Sequence, residues 1–342
     1  MCKTTPTGKS KSFDISPDDI EQTKSNSCMS STIPLDIKWS QLTDIKKLAC
    51  NENTIVYTAH FNDNPAVVKT INPENENKQW KEDLEAELTM LSKLNHPNVV
   101  KLYGAGFNSD GCRFVVLEYC EGGSFLKLIG KNKCKKCHIY FRDDFSFKVK
   151  DALKHAQGIA EGLRYLHEEA VEGSMVIHRD LKPDNVGLTK DKQVKLLDFG
   201  LAKIVEDTSA QSEEVYKMTG RTGTLCYMAP EVALDKPYNH KVDVFSFGIM
   251  LWQLLQAEQP YCCIRNEHLF GDLMISNVRP EVSKKWPKEI VELMQRCWSP
   301  KIEERPSFPE IIKTIESTLT KLNTKKKILP KARSMLRRSV FM

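Results

Sequence analysis

The sequence turns on one stretch, His178-Arg179-Asp180-Leu181-Lys182-Pro183-Asp184-Asn185. Acids, cations and an amide crowd together there, between the apolar residues Val176-Ile177 and Val186. Asp198-Phe199-Gly200 follows thirteen residues after Asn185, and Ala229-Pro230-Glu231 comes later still. Upstream the chain is β-rich, with short runs of β-branched and aromatic residues at 55–59, 66–71, 101–103 and 113–118. One helical pattern lies among them: Leu84, Leu88 and Leu91, with Glu85 and Glu87 between. After Gly122-Gly123 helices dominate. Val149, Leu153, Ala156, Ala160 and Leu163 recur every three or four residues, as do Ile290, Leu293, Met294 and Cys297. A small β-rich half before a larger helical half predicts two lobes with a cleft between them.

Composition narrows the class. Of 342 residues 40% are hydrophobic, enough to fill a core, so disorder along the whole chain is excluded. The longest apolar stretch, residues 244–255, is interrupted by Ser246, Gly248 and Gln253 and is too short for a membrane span. The N-terminus has no apolar core behind basic residues, so no secretory leader is expected. Eleven cysteines without framework spacing read as reduced thiols, and the expected location is cytoplasmic. Residues 1–38 are rich in Ser, Thr, Asp and Lys and are expected to be a disordered tail. The net charge of +5 is concentrated at the other end: Lys321, Lys325, Lys326, Lys327, Lys331, Arg333, Arg337 and Arg338 have no acid among them. Residues 320–342 are therefore a separate basic tail, and the remainder is mildly acidic.

The three motifs, in this order, resemble those of the eukaryotic protein kinase family. The resemblance covers roughly residues 39–319. It implies an α+β, bilobal fold: an N-lobe at 39–119 made of a small antiparallel sheet with one helix, and a mainly helical C-lobe at 120–319. It also implies transfer of the γ-phosphate of ATP, with Mg²⁺, to protein hydroxyls. The residue types suit that chemistry, since phosphoryl transfer needs positioning and charge neutralisation more than covalent help. In this reading Asp180 accepts the substrate hydroxyl proton, and Asn185 and Asp198 give Mg²⁺ hard oxygen ligands. Lys182 sets a charge near the γ-phosphate and, with Gly223-Thr224, favours Ser/Thr over Tyr. Residues 222–231, 243–252 and 296–308 resemble the tyrosine-kinase-like group, in which Glu231 pairs with Arg305 and Asp243 accepts backbone bonds from the catalytic loop.

Upstream, Ala66-Val67-Val68-Lys69 resembles the strand whose lysine grips the α- and β-phosphates. Its partner is Glu87 on the following helix, with Glu85 the alternative. Leu117 is the gatekeeper expected from spacing. Glu118, Tyr119 and Cys120 offer backbone groups to adenine, Ser124 approaches the ribose, and Val56 and Val67 cover the base. An apolar stack of Leu91, Leu102, Phe199 and His178 is expected to link the helix to the site.

Two departures stand out. The glycine-rich phosphate loop has Ala49, Asn51 and Thr54 at its three glycine positions, and only Asn51 is suited to positive φ. Val67 stands where the adenine roof usually has Ala, and Gly187 where the floor usually has Leu. These opposed volume changes are expected to compensate by shifting adenine toward the C-lobe. The glycine-poor loop keeps one alternative open, a pseudokinase scaffold with weak or no turnover.

Arg179 implies control by an upstream kinase acting on the activation segment, where Thr208, Ser209, Ser212, Tyr216, Thr219 and Thr222 are available; Thr219 and Thr222 are preferred. Asp184 suits a basic residue near the target hydroxyl, and Gln253 offers no second acid. Cys134, Cys137 and His138 have the spacing of half a zinc site but no second pair, so they are read as a lysine-rich surface insertion. The basic tail suits anionic lipid or an acidic partner. Nucleic acid is not expected, because Phe341 is the tail's sole aromatic residue.

Overall fold

The structure, a computed structural model, describes residues 33–74, 78–129, 147–206, 225–261 and 276–338, with side chains as far as 324. The activation-segment hydroxyls, Gly223-Thr224 and the Cys134, Cys137 and His138 group lie outside the described residues.

β1 (Ile37–Lys38), β2 (Leu42–Cys50), β3 (Thr54–Phe61), β4 (Asn64–Ile71), β5 (Leu102–Phe107) and β6 (Arg113–Glu118) form a six-stranded sheet in the order β1-β5-β6-β4-β3-β2. Every pairing is antiparallel except β1 with β5. Alternation along the strands divides the two faces. Ala59, Phe61, Ala66, Val68, Phe114 and Val116 turn inward with Ile37 and Leu42, and Trp39 stands edge-on to Tyr57 and Phe114. Val67 and Lys69, one residue out of phase with Ala66 and Val68, share the opposite face. α1 (Lys78–Leu91) buries Leu84, Leu88 and Leu91, the periodic residues of the sequence.

Residues 34–38 belong to this lobe rather than to the N-terminal tail to which composition assigned them. Ile37 is buried, and β1 runs against two glycines of β5. A side-chain carbon at Gly106 would lie 1.9 Å from the Ile37 carbonyl oxygen, and one at Gly104 would lie 2.3 Å from that of Pro34. Five residues suffice to dock the strand because β5 presents bare backbone to it.

The second lobe is carried by α3 (Val149–Glu168) and α5 (Lys241–Gln256), with β7 (Gly123–Ser124) and α2 (Phe125–Ile129) ahead of α3 and α4 (Pro230–Ala233) ahead of α5. α6 (Lys288–Cys297) and α7 (Phe308–Arg338) complete the described helices. α5 is apolar nearly all round, and its neighbours α3 and α6 supply the partner surfaces. α7 runs unbroken across residue 319, where the sequence placed the start of a separate tail. Between α3 and α4 lie the short strands β8 (Ser174–Ile177), β9 (Val186–Leu188), β10 (Val194–Leu196) and β11 (Lys203–Glu206). β10, β9 and β7 pair as one sheet, β11 and β8 as another.

Candidate active site

The loop between β8 and β9 carries Asp180, Lys182 and Asn185. It is pinned from below by Asp243 in the first turn of α5, a residue with no solvent exposure. The Asp243 carboxylate accepts hydrogen bonds from the His178 and Arg179 backbone N–H groups at 2.8 and 2.9 Å, and lies 2.9 Å from His167 Nε2. Burial works against this charge, but those bonds outweigh it and hold the carboxyl below the usual aspartate value. They also fix Arg179 at φ +66°, a conformation a non-glycine residue keeps only where its surroundings impose it. The Arg179 guanidinium donates to the Leu201 carbonyl and the Tyr238 hydroxyl.

With the loop so held, Lys182 Nζ donates to Asp180 Oδ2 at 2.7 Å, and Asn185 Nδ2 donates to the same oxygen and to the Asp180 carbonyl, both at 2.9 Å. Asp180 and Asn185 are buried. Because Asn185 spends its amide hydrogens on Asp180, its carbonyl oxygen is left as its coordinating atom. From the other lobe, Lys69 Nζ lies 2.5 Å from Glu87 Oε2 and 3.9 Å from Asp198 Oδ1. Burial opposes the ammonium, yet Glu87 and Asp198 together raise its pKa above the ordinary lysine value. Glu85 instead meets Arg113 at 3.0 Å, which settles the choice between the two acids. Phe199 is buried with its ring 5.1 Å from that of His178, and Leu91 and Leu102 are buried too. Asp198 has φ +58°.

Four of the remaining sequence-selected residues are placed by strand pairing. Val56 pairs with Lys69 across β3 and β4, and Val67 pairs with Leu117 across β4 and β6. Ser124 pairs with Gly187 across β7 and β9. The Glu118 side chain has a use that sequence did not suggest: it meets Lys195 at 2.8 Å and accepts from the Lys101 N–H. Lys195 is buried on β10, and a lysine between Val194 and Leu196 is the signal that could have shown it. Gln253 faces the interior, accepting from the Tyr227 hydroxyl at 2.6 Å, so it does not bear on substrate charge.

Asn51 is not at positive φ. The β2–β3 tip is tied instead by its side chain, whose Oδ1 accepts from the Asn53 N–H, the Thr54 N–H and the Thr54 hydroxyl at 2.9, 2.7 and 3.2 Å. A side-chain carbon on Gly187 would lie 2.7 Å from Cys120 Sγ.

Among the described residues no group of three or more His, Cys, Asp or Glu side chains could hold a metal unaided. The oxygens of Asn185 and Asp198 are of the hard kind that could hold Mg²⁺, which shares its shell with phosphate. The model of the protein tyrosine and serine/threonine kinase family matches residues 42–315. The chain belongs to this family. The kinase domain is 31% identical over 284 residues to serine/threonine-protein kinase STY17 of Arabidopsis thaliana, a match covering 83% of this chain and 46% of that protein. Its identity to serine/threonine-protein kinase VIK of the same plant is 34% over 288 residues, 83% of this chain and 60% of the relative. With serine/threonine/tyrosine-protein kinase HT1, also from Arabidopsis thaliana, it is 30% over 281 residues, covering 81% and 66%. The kinase domain thus spans less than two thirds of the length of each of these relatives.

Proposed function

We propose that this chain is a serine/threonine protein kinase that transfers the γ-phosphate of Mg·ATP to Ser or Thr hydroxyls of proteins. The observation that carries the reading is the pairing of one buried carboxylate, Asp180, with both Lys182 and Asn185, opposite Lys69 seated between Glu87 and Asp198. Mg²⁺, when bound, supplies neutralisation of phosphate charge. Asn185 and Asp198 would hold it, and Lys69 would fix the α- and β-phosphates. Lys182 and Asn185 orient the Asp180 carboxylate toward the incoming hydroxyl, whose proton Asp180 accepts. Backbone groups of Glu118 and Cys120 would receive the adenine, under Val56 and Val67 and beside the gatekeeper Leu117, with Ser124 toward the ribose.

The glycine-poor β2–β3 tip supports a looser grip on the phosphates than glycine would give, because side chains at Ala49 and Thr54 limit close backbone approach. The same feature favours a second reading, a pseudokinase scaffold with weak or no nucleotide turnover. An upstream kinase acting on the activation segment, and contact of the basic end of α7 with anionic lipid, belong to the proposal. Incubating the chain with γ-labelled Mg·ATP and a generic protein substrate, then identifying the labelled amino acids, tests it. Phosphoserine or phosphothreonine is the expected product. Phosphotyrosine alone contradicts the assigned hydroxyl, and no label supports the scaffold.

A further inference from the structure

The segment that enters the second lobe is laid directly on β9. The Gly122 N–H donates to the Leu188 carbonyl and the Gly123 N–H to the Cys120 carbonyl, both at 2.9 Å, so the backbone of 120–123 is tied down immediately after Cys120. The Cys120 side chain packs against Gly187. It lies over the Gly187 backbone, where an added carbon would meet Cys120 Sγ at 2.7 Å, Cys120 Cβ at 2.9 Å and Leu197 Cδ1 at 3.1 Å. Contacts that close are essentially absent between real side chains, so Cys120 in this position and any side chain at 187 exclude one another. Cys120 is buried. Burial, reinforced by Glu118, pushes its thiol up to about 12, which keeps it a neutral, polarizable surface rather than a reactive one.

We propose that Cys120 is a specificity-determining residue for the nucleotide: its side chain, seated over Gly187, is the surface on which the purine rests. This deepens the kinase reading and rests on it. The base then lies between the branched Val67 above and one sulfur below, and the depth of that slot is set by residue 120 and residue 187 jointly.

The test is a steric exchange read as KM for ATP, kcat and the melting temperature of the nucleotide-free protein. Gly187→Ala forces Cys120 upward and is expected to raise KM about tenfold, with kcat changed far less. Cys120→Met, which fills the slot without touching 187, is expected to raise KM similarly. The double variant Cys120→Gly/Gly187→Ala is expected to return KM to within about threefold of the parent and to recover the melting temperature lost by Gly187→Ala. Wild-type KM in both single variants, or a double variant at least as impaired as Gly187→Ala, overturns the proposal and leaves the kinase reading standing. A parent protein that binds no Mg·ATP overturns both.

Discussion

Arg305 is almost wholly buried, and both ends of its guanidinium meet Glu231, at 2.5 and 2.9 Å. The family resemblance names this pair in advance, because Ala229-Pro230-Glu231 and Arg305 are both legible in the sequence. Removing one partner strands the other charge, so Arg305→Met is expected to cost about 3–5 kcal/mol, read by urea unfolding, and Arg305→Met/Glu231→Leu to recover much of it. His240 could not be picked out in this way, because its setting arises only when α5 packs. Burial, then His167 and Lys241, depress its pKa to about 3, against an ordinary value near 6.5. The unfolded chain therefore binds a proton near pH 6 that the folded chain refuses, and stability falls as pH drops below about 6.5. Between pH 6.5 and 5 the loss is about 1.6 kcal/mol, and His240→Gln is expected to flatten that slope in unfolding measured across the range. An equal slope in both proteins would remove His240 as the cause.

At the level of elements, the strands and the first long helix were readable because their apolar residues keep periods of two and of three to four. β1 was not readable. Two residues are too short for a period, and what holds them is the absence of side chains at Gly104 and Gly106, a property of a distant strand. Gly106→Val should expel β1 and lower stability by about 1–3 kcal/mol, while a strand docked elsewhere would leave urea unfolding unchanged. How the β2–β3 hairpin closes was not readable for a related reason. Glycine was weighed for its φ, whereas the tip is closed by one carboxamide accepting three hydrogen bonds. Asn51→Ala is expected to speed amide exchange at Asn53 and Thr54 by about tenfold and to raise KM for ATP. Unchanged exchange would show that the side chain does not close the tip.

For the whole molecule, Asp180, Lys182, Asn185 and Asp198 were legible as a group because each lies within a short motif of fixed order. Lys69 and Glu87 required the fold to bring them together across eighteen residues, and two acids on one helix left the partner open until packing gave Glu85 to Arg113. The Glu118–Lys195 and Cys120–Gly187 contacts stayed hidden, because each joins residues from segments whose meeting depends on the fold. The account rests on Asp180 acting as the base while Mg·ATP is held by other groups. Its most direct test is phosphate transfer to a protein substrate by the parent chain and by Asp180→Asn, with Mg·ATP affinity measured on both. The account predicts affinities within a few-fold of each other and transfer reduced by about 10³ in the variant. Equal transfer by the two proteins would contradict it.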